Sequence, residues 1–213
     1  MKNKRGSVCL MVGFGLIVMA LGLVLYNLGE GNRAEQSVSQ AVDALEAVQL
    51  RAAEEKIPEE TVLLPDYIVN PDMEMPVESL NGVDYIGVLR IPALELELSV
   101  AKDWSYENLR TTPCRYVGSA YKNNMVVCAH NFSSHFGRLR ELSEGDTVTF
   151  TDMAGNVLPY EVVGKEIIQP TAIEDMLSGD WDLSLFTCTV GGQTRVAVRC
   201  QRTDPEAHMG ALH

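Results

Sequence analysis

Basic residues are scarce in this chain of 213 residues, which has 17 lysines and arginines against 29 aspartates and glutamates and a formal charge of −12. Nucleic-acid-binding proteins need a basic stripe to neutralise phosphates, so the charge balance excludes that function class. The acidic excess is concentrated in residues 29–80, where three basic side chains face twelve acidic ones. Histidine is scarce too, and its four copies leave few candidates for a catalytic base.

Charged residues are absent from Val8 to Leu28, a run with the sequence VCLMVGFGLIVMALGLVLYNL. Its length of roughly 31 Å as a helix is enough to cross a bilayer core. The run is longer than the apolar region of a cleaved signal peptide, and no good cleavage site follows it. We therefore predict a single-pass signal anchor in the cell membrane, with a removed secretion signal as the alternative. The basic residues before it predict a cytoplasmic N-terminus and an extracellular remainder.

We divide the chain into four parts: a basic tip and membrane anchor (1–28), an acidic linker (29–80), a folded domain (81–204) and a short tail (205–213). Apolar residues at helical spacing predict a helix from about residue 33 to residue 56, which Pro58 then ends. The proline-rich, acidic stretch after it predicts an extended segment that spaces the domain away from the membrane and packs partly on its surface.

From Asp84 onward the pattern is typical of strands, and no internal repeat is visible. The candidate strands are YIGVLRI, LELELSV, MVVCAH, DTVTFTD, YEVVGKEII, LSLFTCTV and TRVAVRC. Only short helical pieces intervene, near residues 105–110, 134–142 and 171–177. Many short strands without long helices predict an all-β domain, either a sandwich or a closed barrel, of about 120 residues.

The stretch LFTCTVGGQTRVAVRC, residues 185–200, reads as two strands joined by a glycine pair. A two-residue turn at Gly191 and Gly192 places Cys188 opposite Arg195, with their Cβ atoms ~5 Å apart on the outward face. A thiol beside a guanidinium has its thiolate favoured, which makes it a better nucleophile. The pattern therefore indicates a reactive Cys188.

Disulfides are the alternative explanation for the cysteines of an extracellular domain. The hairpin register separates Cys188 from Cys200 by ~17 Å along the strand and puts them on opposite faces, which is too far for a bridge. A bridge between Cys114 and Cys128 remains open, as does one from Cys188 to either of them.

A cysteine nucleophile usually needs a histidine as general base and acid. His130 ends the predicted strand MVVCAH, where the chain enters a polar loop. Catalytic and binding residues often lie at such strand ends. His135 starts a short helical piece and is favoured as a structural residue, whereas His208 and His213 lie in the tail. We therefore favour His130 as the base.

Ser184-Leu185-Phe186-Thr187-Cys188 resembles the TLxTC motif of sortases, the cysteine transpeptidases of Gram-positive bacterial surfaces, with serine in place of the first threonine. Ala129-His130-Asn131 upstream and Arg195 downstream match the histidine and arginine of that family in the same chain order. The resemblance extends from about Tyr85 to Arg202, including YIGVLRIP and HFGRLRELSEGD.

The resemblance implies a closed eight-stranded β-barrel with short helices and a surface groove, preceded here by the transmembrane helix and the linker. It implies that Cys188, His130 and Arg195 are catalytic and cleave an LPxTG-like signal between Thr and Gly through a thioester. It implies substrate contacts by Thr187, Thr189 and Asn131, with the backbone N–H of Thr189 helping Arg195 to stabilise the oxyanion. The expected partners are secreted proteins with a C-terminal sorting signal and an amine acceptor of the cell wall.

A compact class D-type or a housekeeping-type enzyme fits this sequence best, and no cofactor or metal is assigned. Two alternatives come from other function classes. One is a non-catalytic surface or adhesion module, an inactive relative stabilised by disulfides. The other is a hydrolytic cysteine peptidase, which would release an acid rather than an amide.

Overall fold

The computed structural model describes residues 4–55, 64–189 and 191–204, which form four helices and nine strands. The helices are α1 (Lys4–Glu55), α2 (Asp66–Val69), α3 (Tyr106–Leu109) and α4 (Ile173–Leu177). The strands are β1 (Glu78–Leu80), β2 (Val83–Ile91), β3 (Leu96–Ala101), β4 (Cys114–Val117), β5 (Met125–Cys128), β6 (Thr147–Asp152), β7 (Val157–Ile168), β8 (Leu183–Cys188) and β9 (Arg195–Arg202).

Eight of these strands close into a barrel. The pairing order is β2-β3-β4-β5-β8-β9-β7-β6, and β6 pairs again with β2, while β1 extends the sheet beside the start of β2. This confirms the all-β prediction and decides between its two forms in favour of the closed barrel. Strands β1 and β4 were not predicted, because they are short and, unlike the equally short β5, contain no run of β-branched or apolar residues.

The barrel interior is filled by alternate residues of each strand, as expected when one sheet face is buried. On the final ribbon, the buried core includes Leu183, Leu185, Val196, Val198 and Cys200. The outward face carries a second, smaller apolar cluster that contains Val126, Ile168, Met176 and Ala197, with Tyr116, Ala172 and Phe186 packed against it. The outer surface of the barrel is therefore partly apolar near β8.

Helix α1 is a single helix of 52 residues, whereas the sequence predicted a membrane span and a separate linker helix. Its apolar N-terminal part is long enough to cross a membrane and none of it is buried in the described structure. Its C-terminal half packs against β2 and β3 through Ala34, Val38, Ala41, Val42 and Leu45. Gln49 also donates to the carbonyl of Thr151 at 2.8 Å, and Glu46 pairs with Arg90.

The proline-rich segment after α1 lies on the barrel where the structure describes it. Tyr67 is buried, stacks on Tyr121 with ring centroids 4.6 Å apart, and accepts a hydrogen bond from Arg202 at 3.0 Å. Met75 is also buried in the core cluster. Partial packing of this segment is therefore confirmed, and Tyr67 lies at the barrel end away from the β8–β9 turn. The role of the segment as a spacer stays a prediction.

Candidate active site

The hairpin of β8 and β9 has the register expected from its glycine pair. Cys188 lies opposite Arg195, and Leu183 lies opposite Cys200. Gly191 and Gly192 both have positive φ, of 86° and 71°, which glycine adopts without the strain that a side chain would cause. Cys188 is half-buried on the outward face. The thiol and the guanidinium therefore come from neighbouring, directly opposed positions of one ribbon.

His130 leaves the same rim of the barrel. Strands β5 and β8 are parallel, and their last paired residues are Cys128 and Phe186. Beyond this pair, Ala129 N–H donates to the Phe186 carbonyl at 3.2 Å and the Thr187 hydroxyl donates to the Ala129 carbonyl at 2.8 Å. His130 and Cys188 are each two residues beyond this last pair. Because the two strand ends are neighbours, ~4.8 Å apart in a sheet, the backbones of the two residues emerge near one another at this rim.

The Arg195 guanidinium is held towards the turn. Its Nη1 donates to the carbonyls of Gly192 and Thr194, both at 3.1 Å, rather than to the Cys188 sulfur in the described structure. The backbone N–H of Thr189 donates to the Thr194 carbonyl at 2.9 Å. In the described structure this N–H is thus paired across the hairpin, and its contribution to the oxyanion stays a prediction.

The other residues predicted to touch substrate have different surroundings. Thr187 is buried, and its hydroxyl is bonded to Ala129, so its side chain fastens the His130 loop to β8. The Thr189 hydroxyl bonds to Thr194 at 3.0 Å. Asn131 is exposed at the start of the loop.

The loop after His130 is tightly wound. The Phe136 N–H donates to the His130 carbonyl at 3.1 Å, and the His130 ring lies 5.1 Å from that of Phe132. His135 is fully buried, as its structural assignment requires, and neither ring nitrogen has a hydrogen-bond partner among the described residues. Burial, reinforced by the nearby His130, lowers the pKa of His135 to about 4. His135 is therefore neutral at pH 7.

The other thiols of the domain are buried and free. Cys114 and Cys128 are opposite each other on β4 and β5, and Cys200 faces the core. Burial raises the pKa of each of these three thiols to about 12, which keeps them protonated. Since thiolates are the reactive form, Cys188 is the one described cysteine of the barrel that is placed to react.

A cleft of about 180 Å³ opens beside Arg195 and Phe186. Its other lining residues are Tyr116, Gln169, Pro170, Ala172, Ile173 and Met176. The apolar character of these side chains suits a short hydrophobic segment of a peptide. A surface groove was expected, but the sequence did not identify the residues that line this cleft, because they come from β4 and from the α4 segment, which are distant in the chain. No group of three or more His, Cys, Asp or Glu in the described residues is arranged to hold a metal ion.

Comparison with known proteins agrees with this architecture. The family model for the sortase domain matches residues 89–203. Sortase A of Bacillus anthracis is 26% identical over 168 residues, which cover 75% of this chain and 76% of that protein.

Two solved structures show the same fold. A sortase D5 transpeptidase of Clostridium perfringens has a TM-score of 0.52 and 20% identity, over 60% of this chain and 83% of its own. A sortase C of the same organism, solved with its C-terminal cell wall sorting motif, has a TM-score of 0.51 and 22% identity, over 78% and 90%. These relatives carry class A, C and D names, so they support the family and not one class. The chain belongs to the sortase family, whose members are cysteine transpeptidases.

Proposed function

We propose that this chain is a membrane-anchored sortase that cleaves an LPxTG-like sorting signal between Thr and Gly and transfers the protein to an amine acceptor of the cell wall. The observation that carries the proposal is the ladder pairing of Cys188 with Arg195. It is supported by the neighbouring parallel strand β5, which His130 follows two residues after its last paired residue. The apolar segment of α1 supports anchoring through residues 8–28, with the barrel of residues 81–204 on the outer side.

The first half-reaction forms a thioester. The Cys188 sulfur attacks the threonine carbonyl carbon of the signal, and the bond from that carbon to the glycine nitrogen breaks. His130 gives its proton to the departing amine. Arg195 has Nη1 fixed to the turn, which leaves Nε and Nη2 to donate to the oxyanion of the tetrahedral intermediate. The role of the guanidinium in this proposal is thus larger than that of the Thr189 N–H.

The second half-reaction resolves the thioester. An incoming amine attacks the same carbonyl carbon, His130 takes its proton, and the Cys188 sulfur leaves as the thiol or thiolate. The apolar cleft beside Phe186 and Arg195 is suited to the leucine and proline of the signal, since it lies next to the reacting atoms and its lining is mostly hydrophobic. Contacts from Thr187, Thr189 and Asn131 to the substrate are also part of the proposal, although none of the three is among the residues that line the cleft.

The test uses the full-length protein in detergent, because α1 packs on the barrel and belongs to the folded unit. We would incubate it with an LPxTG-type peptide library and a peptide amine, and identify the adduct on Cys188 and the products by mass spectrometry. Cys188→Ala and His130→Ala should each abolish turnover, whereas Cys128→Ala and His135→Ala should retain it. Turnover in Cys188→Ala would contradict the assignment.

The same material separates the two alternative functions. In a Cys9→Ser background, a methylthiosulfonate reagent should label one thiol quickly, and this labelling should vanish in Cys188→Ala. Absence of a free thiol would favour a disulfide-stabilised, non-catalytic module. A product that stays an acid when the amine is added would favour a hydrolytic peptidase.

A further inference from the structure

We propose that Arg199 is a positioning residue that holds helix α4 as a wall of the cleft, and so sets the affinity for the sorting signal without taking part in the chemistry. Arg199 lies on the outward face of β9, four residues beyond Arg195, and is 1% exposed. The inference rests on the proposed function, because it assigns the cleft to the signal.

All five N–H donors of the Arg199 guanidinium are used. Nη1 donates to the Met176 carbonyl at 2.8 Å and to the Ser184 hydroxyl at 2.9 Å. Nη2 donates to the Asp175 carbonyl at 2.7 Å and to Glu166 at 3.1 Å, and Nε donates to Glu166 at 3.3 Å. The side chain therefore joins β7, β8 and α4 to β9, and only arginine has a planar fork with this many donors.

Helix α4 depends on such a partner. It has five residues, and no side chain caps its N-terminus. A helix this short is unstable alone, and its last carbonyls have no partners within the helix. Arg199 provides donors and a positive charge at that end, where both are favourable. The remaining attachment is Met176, which is buried in the outward apolar cluster.

The same helix forms one side of the cleft. Ala172, Ile173 and Met176 line it from the α4 segment, opposite Tyr116 and Phe186. If α4 moves away from β9, this wall is lost, while the pairing of Cys188 with Arg195 in the ladder is not. Loss of the Arg199 contacts should therefore weaken binding of the signal and leave the reactivity of the thiol unchanged.

The chain offers a matched control on the same strand. Arg202 is also buried, at 6% exposure, and its guanidinium bonds to Asp204 and Tyr67 at the other end of the barrel. Arg199→Lys and Arg202→Lys both remove a buried guanidinium and keep the charge. They should cost similar stability, but only the first should affect the cleft.

The experiment measures three quantities on the full-length protein in detergent: kcat and KM for the best LPxTG-type peptide, the alkylation rate of Cys188 by a small reagent, and hydrogen exchange of residues 172–178. In Arg199→Lys we expect KM to rise about tenfold or more with kcat within about threefold, an unchanged alkylation rate, and faster exchange in 172–178. Ser184→Ala, which removes one of the five hydrogen bonds of the guanidinium, should shift KM and exchange in the same direction by less.

Two results would overturn the proposal. One is an unchanged KM and unchanged exchange in Arg199→Lys; the other is an equal KM change in Arg202→Lys. A wild-type protein that processes no peptide would instead refute the proposed function, and the exchange of 172–178 would still decide whether Arg199 holds α4.

Discussion

Replacing His135 by leucine removes a buried imidazole that has no hydrogen-bond partner among the described residues and is in ring contact with Phe132. Leucine has a similar volume and no polar atoms. An unpaired buried polar group costs about 1–3 kcal/mol, so at pH 7 the variant should be as stable as the wild type or more stable. The larger effect is expected in acid.

Its size follows from the pKa of His135, which burial lowers from the ordinary value of 6.5 to about 4. Between these pH values the unfolded chain binds a proton at this position and the folded protein does not. The contribution of the neutral His135 to the free energy of unfolding is therefore fully present above pH 6.5 and is lost as the pH falls towards 4. The interval corresponds to about 3 kcal/mol from this one side chain.

The assay is urea unfolding of the full-length protein in detergent at pH 7, 5.5 and 4.5, followed by tryptophan fluorescence. His135→Leu should lose less stability between pH 7 and 4.5 than the wild type, by about 2–3 kcal/mol. Phe132→Leu is the control, and it should lower the stability by the same amount at each pH. If His135→Leu and the wild type lose stability in parallel, the imidazole is already protonated or solvated in the folded protein and the reasoning fails.

Two further predictions concern groups that hold the frame of the site. Thr187→Val removes the hydrogen bond to the Ala129 carbonyl and leaves this buried carbonyl unpaired. The free energy of unfolding in urea should fall by about 1–3 kcal/mol, and kcat should fall because the His130 loop is no longer held. An unchanged kcat would exclude that positioning role. Tyr67→Ala removes a stacked, hydrogen-bonded ring and should lower the free energy of unfolding by about 3–5 kcal/mol. The alkylation rate of Cys188 should not change, because the ring lies at the far end of the barrel. A slower alkylation would show that the two ends are coupled.

The β8–β9 hairpin could be predicted from sequence because its register depends on a local signal. A glycine pair between two β-branched runs places the turn, and the side-chain period of two then assigns every residue to a face. The pairing of Cys188 with Arg195, and the location of Leu185, Val198 and Cys200 in the core, follow from that alone.

Features that depend on contacts between distant segments could not be predicted in this way. The sequence predicted a membrane span and a separate linker helix, because its apolar run and its helical spacing are two different patterns, whereas α1 continues through Gly29 and Gly31 without a break. The buried Arg199 pairs with Glu166. Its contacts with the α4 carbonyls could not be predicted, since the sequence of β9 does not indicate which distant segment packs against its outward face.

The unbroken course of α1 has a consequence for how the enzyme meets its substrates. On the proposed topology, one continuous helix both crosses the bilayer and packs against the barrel, so no loop separates the two. A tilt of α1 in the bilayer would therefore tilt the barrel with it. Rotation of α1 about its own axis would move the Cys188 thiol parallel to the membrane, at a nearly constant distance from the bilayer surface. Exported substrate proteins would then have to present their sorting signals at that distance from the membrane. The thickness of the bilayer would therefore affect the reaction rate.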